Sequence, residues 1–235
     1  FNEGSELNST DWRHEVQKSG WVNHELQNYV NGSADGKRVT EIADNRLYIN
    51  CFKGSNGKIY SGRVYAHEPQ GWLYGIFEAR IKLPKGKGTW PAFWMMPCNN
   101  DFGANPWPKC GEIDIMEEVG VNPNYTSSSL HTEKFNHVMG TQITKERQTA
   151  GAEDGFHVYR LEWTPDYIKT YVDGKELLNF NNDGKNDVGS WPFNKQFYVI
   201  LNLAWGGDWG GKKGVDESAL PVQMEVDYVR VFQKK

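Results

Sequence analysis

Four carboxylates fall within seven residues of this chain: Glu112, Asp114, Glu117 and Glu118, interleaved with Ile113, Ile115 and Met116. The apolar partners point to a strand with one face in a core. In a regular strand, side chains two apart share a face, so Glu112 and Asp114 point the same way. Glu117, five positions after Glu112, would then face the core, where an unpaired carboxylate is costly. A β-bulge at Ile115-Met116 resolves the conflict, because one extra residue returns Glu117 to the face of Glu112 and Asp114. Three acids in a row on a water-facing surface repel one another, which raises at least one pKa. Hydrolysis of a glycosidic bond uses such an arrangement: one carboxyl protonated to release the leaving oxygen, another ionised to attack the anomeric carbon. Retaining enzymes hold the two about 5–5.5 Å apart, a separation of the kind that same-face neighbours give. A solvated acidic strand or a divalent-ion site would also use these residues, although calcium prefers loop geometry and backbone carbonyls.

The elements that must position these acids are β-strands. Residues 45–50, 75–83, 157–163, 167–172 and 224–231 alternate in the manner of half-buried strands, and Asp173-Gly174 is a hairpin signal. Residues 197–203 are almost wholly apolar and predict a central strand buried on both faces. Helical periodicity is scarce. The pattern predicts one all-β domain over 1–235, a two-sheet antiparallel sandwich of jelly-roll type with a concave cleft. The Gly/Trp/Asn-rich loops 205–213 and 98–108 are candidates for function.

Net charge is −4 with basic residues scattered, so nothing favours a nucleic-acid or anionic-membrane partner. No run of 18 apolar residues predicts a membrane span. Phe1 opens the sequence without Met or an apolar signal core, as in a mature or trimmed chain. Cys98 and Cys110 bracket a loop and could pair if their Cα atoms come within about 7 Å. The aromatic content is high, with 10 Trp and 11 Tyr, and indole offers both a flat apolar face and an N–H to a sugar ring. Trp90 and Trp94, four apart in a strand, should line one face. Trp205 and Trp209 flank Gly206-Gly207. One member of each pair is expected to contact a sugar.

The segment 111–117 resembles the Glu-x-Asp-x-x-Glu motif of glycoside hydrolase family 16, in its laminarinase-like branch. Residues 25–27, 77–84, 88–94, 156–159, 171–174, 201–204 and 226–231 extend that resemblance along most of the chain. It implies Glu112 as nucleophile, Glu117 as general acid/base and Asp114 as the group holding the dyad in its working protonation state. It also implies a histidine, His131, facing the acid/base, with Asn23 and Arg63 at polar cleft positions; His137 reads as a loop residue. A structural calcium ion is implied at Asp227, with carbonyls from the turn near Asn45, although the ligand that the family supplies just before Phe1 is absent from this sequence. The resemblance further implies retaining endo-hydrolysis of β-1,3- or mixed-linkage β-1,3/1,4-glucan, no cofactor for catalysis, a monomer, and a secreted or cell-surface location. The alternatives are a same-fold hydrolase of an agarose-like galactan, a transglycosylase, or a lectin-like sandwich that binds glycan without cleaving it.

Overall fold

The computed structural model describes residues 1–66, 71–98, 104 and 106–234. Its strands begin with β1 (Trp12–His14), β2 (Gln27–Tyr29), β3 (Ser33–Ala34), β4 (Lys37–Arg38), β5 (Thr40–Ala43) and β6 (Arg46–Lys53). Next come β7 (Ile59–Ser61), β8 (Arg63–Ala66), β9 (Gly75–Lys82), β10 (Thr89–Pro97), β11 (Glu112–Glu117) and β12 (Tyr125–His131). The remainder holds β13 (Ile143–Gln148), β14 (His157–Trp163), β15 (Tyr167–Val172), β16 (Lys175–Asn181), β17 (Phe197–Trp205), the one-turn helix α1 (Gly207–Gly210) and β18 (Val222–Phe232).

Two large sheets result, as the alternating runs predict. A seven-stranded sheet runs β1-β8-β17-β10-β11-β12-β13, and a nine-stranded sheet runs β16-β15-β14-β9-β18-β6-β7-β2, with β5 paired to β6. Pairing is antiparallel except between β2 and β7, which run parallel. The fold is therefore a jelly-roll sandwich with one parallel edge, whereas the sequence reading was wholly antiparallel. The turn after β15 has positive φ at both Asp173 (49°) and Gly174 (75°). That is the twist-matched hairpin geometry that an Asp-Gly pair favours.

The core is filled from both sheets by period-2 alternation. In the seven-stranded sheet, Val64 of β8, Phe93 and Met95 of β10, and Val199, Leu201 and Leu203 of β17 pack against Phe77, Ile81, Leu161 and Met224 of the other sheet. Residues between those inward positions face outward and line a cleft: Arg63, Trp90, Ala92, Trp94, Tyr198, Asn202 and Ala204. β17 sits between β8 and β10 and is buried except for Tyr198 in its first turn, as its apolar run predicts. Among the described residues no helix is long and apolar enough to cross a membrane.

Candidate active site

β11 is preceded by Gly111, whose φ of 86° suits glycine and whose added Cβ would sit 2.8 Å from the Pro192 ring. Along β12, Glu112 lies opposite His131, Asp114 opposite Ser129 and Glu117 opposite Ser127. Two residues separate Asp114 from Glu117, while only Ser128 separates their partners. The same irregularity appears against β10, where Trp94 faces Asp114 and Ala92 faces Glu117. The surplus residue is accommodated at Ile115-Met116, and both side chains are 1% exposed in the core. Two consecutive core residues restore Glu117 to the cleft face, as the sequence requires. The bulge is also pinned from below: Ser128 Oγ donates to the Ile115 carbonyl at 2.7 Å, and Thr170 Oγ1 donates to Ser128 Oγ at 2.8 Å. A backbone carbonyl displaced from the ladder thereby keeps a buried partner.

The cleft above these acids has a volume of about 670 Å³ and is lined by Glu112, Asp114 and Glu117 together with Asn23, Arg63, Trp90 and Trp94. Glu112 and Glu117 each receive an indole N–H. Trp107 Nε1 donates to Glu112 Oε2 at 2.6 Å, and Trp90 Nε1 donates to Glu117 Oε1 at 2.9 Å. The Arg63 guanidinium lies between the rings of Trp21 and Trp94, 5.0 and 4.7 Å from their centroids. Trp94 Nε1 donates to Asn202 Oδ1 at 2.7 Å, and Asn23 Nδ2 donates to Glu25 Oε1 at 3.3 Å.

Other expected residues lie elsewhere. Trp205 is fully buried in the core, where an indole against Gly88 leaves it no surface for a ligand. Trp209, in α1, is half-buried and meets Trp90 edge to face at 5.5 Å, so it braces a residue of the cleft wall. His131 is 6% exposed, and its Nε2 is 3.2 Å from Asp114 Oδ2. The register puts the histidine across from the first acid and beside Asp114, close enough to act on Glu112 and Glu117 alike. His137, which reads as a loop residue, lines the cleft, 4.9 Å from the Trp107 ring and 5.1 Å from His131. Trp21, Glu25 and Trp107 also escaped the sequence reading. For Trp107 the signal available was an aromatic in a long Pro/Asn/Gly loop immediately before the acids.

Desolvation against the core-backed strand pushes all three carboxyls up. Glu112 rises to about 8 through burial and then the charge of Asp114, opposed by His131 and the Trp107 N–H. Glu117 rises to about 7 through burial and the charges of Glu112 and Glu25, opposed by the Trp90 N–H and His131. Asp114 is the most deeply enclosed of the three, at 2% exposure, and is raised well above the usual range by burial and then Glu117. It also shares a hydrogen bond with Glu112. Such a row holds protons near neutral pH, as general acid/base chemistry requires.

The sequence of residues 24–230 matches the model of glycosyl hydrolases family 16. The chain belongs to that family. It is a glycoside hydrolase, and its relatives and structural neighbours agree. It is 42% identical over 228 residues to a beta-glucanase of Rhodothermus marinus, covering 94% of this chain and 79% of that protein. The fold superposes on the Rhodothermus marinus laminarinase with a TM-score of 0.90 and 38% identity, over 97% of this chain and 93% of that one. It superposes equally on a mutant of SCLam, a non-specific endo-β-1,3(4)-glucanase of the same family crystallised with a glucan oligosaccharide. There the TM-score is 0.91, with 39% identity over 99% and 92% of the two chains.

The resemblance implies a structural calcium ion at Asp227. Its Oδ2 accepts from Arg80 Nη1 at 2.7 Å, and the neighbouring Glu225 is engaged by both Arg46 and Lys82, so an ion held there would take the place of the Arg80 contact.

Proposed function

We propose that this family 16 hydrolase is a retaining, endo-acting enzyme on β-1,3- or mixed β-1,3/1,4-glucan, with Glu112 as nucleophile and Glu117 as acid/base. One observation carries the assignment: the bulge at Ile115-Met116 puts Glu117 on the cleft face beside Glu112 and Asp114. Glu117, held protonated near neutrality by burial, donates to the departing glycosidic oxygen while Glu112 attacks the anomeric carbon. Attack requires Glu112 to be ionised. The hydrogen bond between Glu112 and Asp114 by itself favours the proton on Glu112, but burial raises Asp114 well above the ordinary range, so the shared proton is assigned to Asp114 and the Trp107 N–H stabilises the carboxylate left on Glu112. Glu117 then acts as base on the water that releases the covalent glycosyl-enzyme.

Trp90, Trp94 and Trp21 supply faces for neutral glucosyl rings, and Arg63, Asn23 and Asn202 supply hydrogen-bonding edges. The relatives' names, a beta-glucanase and an endo-β-1,3(4)-glucanase, support glucan as the polymer. A polymer of that size is met outside the cell, and we place the enzyme there as a monomeric catalytic unit. The test is a panel of laminarin, barley glucan, lichenan, agarose and carrageenan with product sizing. Reducing ends from laminarin or barley glucan, lost in Glu112→Ser, are expected. Release from agarose alone would replace glucan by galactan, and full activity in Glu112→Ser would remove the nucleophile.

A further inference from the structure

A second groove, of about 810 Å³, lies on the nine-stranded sheet and shares no lining residue with the catalytic cleft. It is framed by the start of β9, the turn between β14 and β15, and the end of β18. Its apolar surface comes from Leu73, Tyr74, Tyr167 and Phe232, and its polar rim includes Glu162, Asp166 and Gln233. Phe232 is 50% exposed and Leu73 39%, which is unusual for side chains of this size gathered in one place.

Tyr74 has a φ of 62°, a conformation that bulky residues rarely adopt. The surroundings hold it there. Gln233 Nε2 donates to both the Leu73 and Tyr74 carbonyls at 3.1 Å, and the Tyr74 ring stands edge-on to Trp163 at 5.2 Å. Burial and then the nearby Asp166 charge raise the Tyr74 phenol above its ordinary value.

We propose that this groove is a second glycan-binding site that takes a neutral glucosyl chain. The inference rests on the glucan reading of the catalytic cleft. The chemistry is that of the cleft repeated on the other sheet: aromatic faces for the C–H side of a pyranose, with carboxylates and an amide for its hydroxyls. The rim is mixed in charge, with Lys234 alongside Asp166 and Glu162 paired to Arg160, and so offers a neutral glycan hydrogen bonds without a strong field of either sign. A site remote from the catalytic groove would hold a long polymer at two points and raise its effective concentration at the acids.

The experiment is affinity electrophoresis in native gels containing laminarin, comparing Glu117→Gln with the same protein carrying Tyr167→Ala and Phe232→Ala. Loss of two ring faces should weaken retention by about tenfold. In the active background, the double substitution should leave cleavage of a short soluble β-1,3-oligosaccharide unchanged. Phe232→Trp, which keeps a ring face, should retain the protein at least as strongly as the parent. Equal retention of parent and double variant overturns the second site, as does equal retardation by dextran. Loss of short-substrate cleavage together with a weakly retained Phe232→Trp also overturns it, since the groove would then be structural. A wild type that cleaves no glucan at all would sink the functional reading instead, whatever the gels show.

Discussion

Replacing Glu117 with Gln should remove activity and raise stability in the same protein, with a pH dependence that follows from its burial. The carboxyl moves from the ordinary 4.5 to about 7 on folding. A raised folded pKa means that the native state holds the proton more tightly than the unfolded chain. The carboxyl therefore costs nothing below about pH 4, where both states are protonated, and its cost grows as pH rises towards 7 and is complete above. The gap corresponds to about 3 kcal/mol at pH 8 and less than about 1 kcal/mol at pH 5. Gln keeps an oxygen for the Trp90 N–H and has no proton to lose. Urea denaturation at pH 5 and pH 8, followed by tryptophan fluorescence at fixed ionic strength, should show the variant gaining about 2 kcal/mol more at the higher pH. Turnover of laminarin should fall by about 10²–10⁴-fold. Stability differences that stay constant between pH 5 and 8 would refute the claim that folding forces a desolvated acid into this position.

Trp107→Phe removes the 2.6 Å donor to Glu112; the Glu112 carboxylate loses stabilisation, its pKa rises, and the acidic limb of the kcat/KM profile should move to higher pH with roughly a tenfold loss of rate. An unmoved limb would show that the indole only packs. Ser128→Ala orphans the Ile115 carbonyl under the bulge and should cost about 1–3 kcal/mol by urea denaturation while lowering kcat; a stable variant with reduced kcat unaccompanied by any structural loss would place the serine's role elsewhere. Glu118, fully buried and raised to about 8 by burial and then Glu153, should behave as the inactive-site counterpart: the stability gained by Glu118→Gln grows from about pH 5 to pH 8 and kcat stays near wild type. Arg63→Ala, which empties the space between Trp21 and Trp94, should raise KM severalfold with kcat little changed, measured on soluble glucan.

The bulge was legible because burying Glu117 is expensive while two adjacent apolar residues, Ile115 and Met116, are at ease in a core. The strands were legible for the same reason of period. Trp205 continues the inward period of Val199, Leu201 and Leu203 by one step, whereas Trp209 lies past the strand in α1, so carrying the strand's alternation beyond 203 separates the two. What the sequence concealed depends on contacts distant in the chain. Register against Glu112 buries His131 beside Asp114, and a turn swings His137, which reads as a loop residue, over Trp107. Ser128 sits in the run Ser127-Ser128-Ser129, which has no local mark of its own, and its bond to Ile115 exists only once β11 and β12 have paired with a mismatch. The single parallel pairing of β2 with β7 likewise has no signature in either short segment.

These contacts explain how a core-backed strand tolerates three acids that each resist ionisation. The cost of desolvating Glu112 and Glu117 is partly offset by two indole donors, Trp107 and Trp90, one to each carboxylate. A Ser or Asn could supply the same N–H or O–H, yet would leave the carboxylates more open to water, and water would return their pKa values towards the ordinary range. An indole donates and excludes solvent at once. The cleft's aromatic residues therefore do two jobs from one position, setting the proton affinity of the acids and offering the faces on which a sugar ring can lie. If so, replacing Trp90 by a polar donor such as Gln should lower the alkaline limb of the pH profile through Glu117 as well as weaken binding. An unchanged alkaline limb with weaker binding would separate the two roles and show that solvent exclusion comes from elsewhere in the cleft.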